Sequence, residues 1–101
     1  MRTETRTDDD AMTIRLRDRF SFGDHAVFRA VLASIADAAP KRCIFDLSDL
    51  VSVDSAALGM LMIAHEAATK DGWELAIRSP QPQVRKLLEL TCFDKILTIS
   101  Q

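Results

Sequence analysis

Between Cys43 and Gly72 the chain reads CIFDLSDLVSVDSAALGMLMIAHEAATKDG, and a change of spacing inside it constrains the fold most. Cys43-Ile44-Phe45-Asp46-Leu47 is a short apolar run of strand type, and Ser48-Asp49 is a polar turn. Leu50-Val51-Ser52-Val53 is a second extended piece. At Asp54-Ser55 the pattern switches to helical spacing. Asp and Ser carry side-chain oxygens that satisfy the free N–H groups of a helix start. Ser55 therefore lies at or beside the N-terminus of a helix that leaves a strand. Its hydroxyl stands at the positive end of a helix dipole, where added negative charge is tolerated. On the residues alone, Ser55 as a simple N-cap and Ser55 as a phosphate switch both stand.

The same residues carry a resemblance. Asp46-Leu47-Ser48-Asp49-Leu50 followed by Val53-Asp54-Ser55-Ala56-Ala57-Leu58-Gly59 resembles the signature of STAS domains, and more narrowly that of bacterial anti-sigma factor antagonists. In that family an apolar strand ends in Asp-Leu, and Asp-Ser-Ser-Gly-Leu-Gly opens a helix. The resemblance implies that Ser55, the first serine after the aspartate, is the phosphorylated one. Ala56-Ala57 stands where the family often has Ser-Gly, which removes one alternative phosphoacceptor. Ser48 and Ser52 lie nearby but outside the motif position. The resemblance runs from about Thr13 to Ile99.

The length of 101 residues, 48% of them hydrophobic, fits a single domain with one modest core. A net charge of −2 gives no basic footprint for nucleic acid. No apolar run reaches membrane-span length and no signal-peptide pattern opens the chain, so a cytoplasmic protein without membrane insertion is expected. Cys43 and Cys92 lie in apolar surroundings without metal-ligand spacing and are expected to be reduced.

Residues 1–10 are polar and charge-mixed, which predicts a flexible tail or a short edge strand before a domain spanning 11–101. Ala11–Phe20 alternates, with Met12, Ile14 and Leu16 opposite Thr13, Arg15 and Arg17, as a half-buried strand does. Phe20-Ser21-Phe22-Gly23-Asp24 breaks the alternation, and Asp24 can cap the helix predicted over His25–Ala38. Pro40 ends that helix. The central helix is predicted from Ser55 to Lys70, with Gly72 as its C-terminal cap. Trp73–Arg78 is the next strand, Gln83–Leu90 a third helix and Ile96–Ile99 a last strand. This alternation predicts an α/β domain, a mixed sheet with helices packed against it. STAS domains generally continue with a further C-terminal helix, which is expected to be absent here.

No enzyme constellation emerges. His25 and His65 are in no motif with Ser55 and are expected on helix surfaces. Asp46 and Asp54 could be drawn as a carboxylate pair or a magnesium site, but turn and cap hydrogen bonding accounts for both. Gly23, Gly59 and Gly72 are too far apart for a phosphate loop. The central helix carries two apolar stripes: Leu58, Leu61, Met62 and His65, against Ala56, Gly59, Met60, Ile63 and Ala67. The first is assigned to the core. The second, beside Ser55, is expected to dock a partner. The expected docking surface is Asp24, Asp54, Ser55, Ala56, Gly59, Met60 and Ile63. The resemblance implies a partner-switching protein without catalytic residues, metal or cofactor. Its partners would be an anti-sigma factor with serine kinase activity, using ATP and magnesium, and a serine phosphatase. The alternative is a STAS subunit of a lipid-transport ABC complex, docked on its ATPase without a phosphorylation cycle.

Overall fold

In the computed structural model, which describes residues 1–100, β1 (Arg2–Asp8) and β2 (Ala11–Phe20) form an antiparallel hairpin. The tight turn needs a left-handed residue, and Asp9 supplies it at φ 53°. β2 then pairs in parallel with β3 (Arg42–Asp46), from Ala11↔Arg42 to Arg15↔Asp46. A bulge at Asp18–Arg19 lets the last residues of β2 pair in parallel with β4 (Leu50–Val53). Asp18 takes φ 72° there, and its N–H donates to Asp49 O at 3.1 Å. Two further parallel strands, β5 (Glu74–Arg78) and β6 (Thr98–Ser100), complete the order β1-β2-β3-β5-β6, with β4 on β2. The mixed sheet thus has six strands.

Three helices connect the strands: α1 (His25–Ala38), α2 (Ser55–Asp71) and α3 (Pro82–Leu90). α2 ends as its sequence requires, with Gly72 at φ 80° and its N–H on Ala68 O at 2.8 Å. α3 starts on Pro82, whose missing N–H costs nothing in a first turn. The last strand starts later than its apolar run predicts. Phe93–Lys95 winds as a 3-10 turn, Leu97 N–H donates to Phe93 O at 2.8 Å, and Leu97 is spent in the core.

The pleat sorts the sheet into two faces. Met12, Ile14, Leu16, Cys43, Phe45, Leu75 and Ile77 join Phe28, Val31, Ile35, Leu61, Val84 and Leu88 from the helices in one core. Phe28 stacks between Phe20 and Phe45, with ring centroids 5.0 and 5.8 Å away. Burial pushes the Cys43 thiol up to about 12. Cys92 corrects its expected apolar surroundings: at φ 63° it leaves the end of α3 and is exposed. Neither cysteine is in a disulfide.

α2 also corrects the sequence reading. Its core face is centred on Ala57, Leu61, Ala64 and Ala68, between the two stripes drawn from spacing. Alanines at i, i+7 and i+11 let the helix lie close to the sheet, and the larger Leu58 and Met60 flank them. Leu58 and Leu61 are buried as expected, but so is Met60, at 5% exposure. Ile63 stands out at 50%.

The other face of the sheet carries charge. Glu4, Arg15, Asp46 and Arg78 stand opposite one another across four adjacent strands. Asp46, only 5% exposed, accepts from Ser48 N–H at 3.0 Å and Arg78 Nη2 at 3.4 Å, with Arg15 Nε at 3.6 Å. Burial favours its neutral form, but the hydrogen bonds from Ser48 and the Arg78 guanidinium outweigh that and hold the carboxyl below its usual range.

Two outcomes follow. Met60→Ala should destabilise the domain by about 2–5 kcal/mol, whereas Ile63→Ala should change it by less than about 0.5 kcal/mol, measured by urea unfolding. Equal losses at the two positions would refute this packing. A depressed folded-state pKa contributes stability above the unfolded value of 3.8, lost as pH falls through the folded value. Asp46→Asn should therefore lower the melting temperature at neutral pH and flatten its acid decline. An unchanged acid limb would show that Asp46 is not held ionised.

Candidate functional site at the start of the second helix

Ser55 owes its position to β4. Pairing of Val53 with Phe20 and the 3.2 Å bond from Asp54 N–H to Phe20 O bring the end of β4 beside the end of β2. The chain then turns into α2 with Asp54 in extended geometry (φ −103°, ψ −179°) as the N-cap. One oxygen of Asp54, Oδ1, accepts from Ala57 N–H at 2.8 Å. The other, Oδ2, accepts from Phe22 N–H at 3.1 Å. One carboxylate thus caps the helix and fastens the 3-10 turn Phe22–Asp24 to it. Ser55 is then the first helical residue, not the cap, and it is exposed. Its hydroxyl has no hydrogen-bond partner among the described residues.

Asp24 is the N-cap residue of α1 by position, but its side chain does not bond that helix. It accepts from Ser21 N–H at 2.9 Å and from the amino group of Met1 at 2.8 Å. Burial would raise its pKa, and these bonds with the adjacent positive charge keep it lowered. The turn that carries Phe22 is therefore held from both ends by carboxylates. Phe22 is 74% exposed beside α2, a position that alternation from Phe20 would have placed in the core. Its signal was the Gly23-Asp24 pair, which ends the strand before the second phenylalanine.

The expected docking residues divide. Asp54, Ser55, Gly59 and Ile63 are exposed and Ala56 and Asp24 half-buried, while Met60 lies beneath. Met60 and Ile63 nonetheless line one cleft of about 160 Å³ between α1 and α2, with His25, Phe28, Arg29 and Leu32. Phe22, Val27 and Val51 add exposed apolar surface that the helical stripe did not reveal. On the other side, two neutral amides clasp the turn before β4 and β4 itself: Gln81 Nε2 donates to Ser48 O and Gln83 Nε2 to Val51 O, each at 2.9 Å. Asp46 and Asp54 are engaged in separate networks, and no three potential metal ligands gather among the described residues. His25 is exposed and His65 half-buried, each on its helix. No helix among those residues is long and apolar enough to cross a membrane.

A family model described as "Mlab, STAS domain" matches residues 3–98. The STAS-domain containing protein PA14_20770 of Pseudomonas aeruginosa (strain UCBPP-PA14) is 33% identical over 93 residues, 92% of this chain and 91% of that protein. Among solved structures, tm1081 of Thermotoga maritima superposes with a TM-score of 0.91 at 23% identity, over 98% of this chain and 86% of that one. The anti-sigma factor antagonist SpoIIAA in its unphosphorylated form superposes at 0.76 and 18% identity, over 99% and 89%. These structural likenesses show a shared fold.

Asp54→Ala should cost about 1–2 kcal/mol in urea unfolding, through loss of the cap. Asp54→Asn, which keeps an accepting oxygen, should lose only part of it. A neutral Asp54→Ala would mean that the 3-10 turn and α2 are not coupled through this side chain.

Proposed function

Because the chain belongs to the STAS domain family, we propose that it is an anti-sigma factor antagonist that works by partner switching at Ser55. In its unphosphorylated state it binds an anti-sigma factor that is also a serine kinase. Phosphorylation of Ser55 releases the complex, and a serine phosphatase resets it. The protein itself performs no catalysis and acts in the cytoplasm as a regulator of transcription.

The observation that carries this reading is the state of Ser55. It is the exposed first residue of a 17-residue helix whose N-cap function is already discharged by Asp54. A hydroxyl committed to capping would be withdrawn from a kinase; this one is free. A phosphate there adds about −1.5 to −2 charge at neutral pH. The dipole and free N–H groups of α2 tolerate that charge, so the helix stays folded. The effect falls on the complex instead. Gly59 and Ile63 continue exposed along α2 from the serine, and Phe22 is tied to the neighbouring Asp54. A partner covering this surface must desolvate it, and a dianion at Ser55 opposes that. SpoIIAA, solved also in a phosphorylated form, has the same fold.

The family description "Mlab, STAS domain" names no antagonist, which favours a second reading: a subunit docked on the ATPase of a lipid-transport ABC complex, without phosphorylation. One experiment separates the two. The protein is incubated with kinase-type anti-sigma factors of its own organism and ATP, and phosphate is mapped by mass spectrometry. The expected result is phosphate on Ser55 alone, none on Ser55→Ala, and binding at least about a hundredfold weaker after phosphorylation, roughly 3 kcal/mol. Circular dichroism should be unchanged. Phosphate chiefly on Ser48 or Ser52, or global unfolding of the phosphoprotein, would overturn the mechanism. Association with a transporter ATPase indifferent to Ser55→Asp would establish the second reading.

A further inference from the structure

We infer that β1 is a self-recognition edge, through which two copies of this chain pair antiparallel into one continuous sheet. The inference is independent of the reading of Ser55. β1 has β2 on one side and no strand on the other, so along its outer side alternate N–H and C=O groups lack a strand partner. Charges on such a strand usually guard it against indiscriminate pairing. Here their order admits one partner. The strand reads Arg2-Thr3-Glu4-Thr5-Arg6-Thr7-Asp8. Turned end for end about Thr5, it sets Arg2 against Asp8, Thr3 against Thr7 and Glu4 against Arg6. Every charged residue then faces its opposite, and every threonine faces a threonine.

Because side chains alternate across the pleat, Arg2, Glu4, Arg6 and Asp8 share one face. The register with β2 makes it the charged face, since Glu4 stands opposite Arg15 and Arg6 opposite Thr13. Within the chain, Arg2 pairs with Asp18 at 2.8 Å and Glu4 with Arg17 at 2.7 Å. Arg6 and Asp8 have no ion-pair partner among the described residues. They are the residues that meet Glu4 and Arg2 of a second copy. The row Arg78, Asp46, Arg15, Glu4 would then continue with the second copy's Arg6, keeping the alternation of sign across the junction. The acidic turn Asp8-Asp9-Asp10 of each copy would lie beside the basic start of the other strand. The other edge, β6, is three residues long and uncharged, and offers no such match. The pairing is isologous and closes at two copies.

Sedimentation of the full chain across a concentration series into the millimolar range tests this. The expected result is a species near twice the 11.3 kDa of the chain. Arg6→Glu sets a carboxylate of each copy against the Glu4 carboxylate of the other and should weaken association at least about tenfold. Glu4→Arg, which sets two guanidinium groups together, should do the same. The two variants mixed should associate with each other, and Glu4→Arg/Arg6→Glu in one chain should restore self-association. A monomer at the highest concentration, or a dimer that neither reversal weakens, would overturn the inference. Recovery in the mixture cannot come from a misfolded variant, so the result remains decisive if either single change costs stability.

Discussion

The geometry of this protein depends on β2 serving two successive strands on one side. Residues 11–15 hold β3 and residues 18–20 hold β4, with the bulge at Asp18–Arg19 between them. A regular strand would carry one partner along its full length, and the segment after Leu47 would have no backbone mate. The bulge re-aims the last three residues, and Val53 arrives beside Phe20. The start of α2, the capping carboxylate and the 3-10 turn before α1 then follow at hydrogen-bond distances. Ser55 is thus placed by the sheet and not by a loop.

Element order was legible because its punctuation is chemical. Asp54, Gly72, Pro40 and Pro82 are residues whose backbone or capping chemistry admits few alternatives: α1 ends before Pro40, α2 begins after Asp54 and ends before Gly72, and α3 begins on Pro82. Burial on α2 was not legible. Ala56 through Ala64 is small or apolar at every position, so periodicity holds no phase, and in a reading by spacing the larger side chains outweigh the alanines. The sheet chose the alanine face because it permits closer approach. Cys92 misleads for the same reason: side-chain type does not report environment where the turn at the end of α3 carries it into solvent. The motif serine lost nothing by this, since a helix start is defined by backbone donors whichever way the helix is rotated.

The two faces of the sheet divide the energetics. The helix side gains from burial of apolar area, the larger contribution to stability. The charged side gains little from any exposed pair. Asp46 is the exception, because a carboxylate this buried depends on Arg15, Arg78 and the Ser48 N–H together, and removing either arginine leaves its charge less compensated. That face therefore contributes geometric specificity more than free energy, and the strand register is what it specifies.

The clasp of Gln81 and Gln83 on the carbonyls of Ser48 and Val51 has a consequence of its own. Neither amide titrates, and neither bond is an ion pair that dissolved salt can screen. The Ser48 turn and β4, which lead into Ser55, are thus held in part by contacts that neither acidity nor ionic strength weakens, beside the ion pairs of Asp49 with Arg15 and Arg17. The hold on these two carbonyls therefore persists under conditions of salt and acidity that weaken the exposed ion pairs of the charged face.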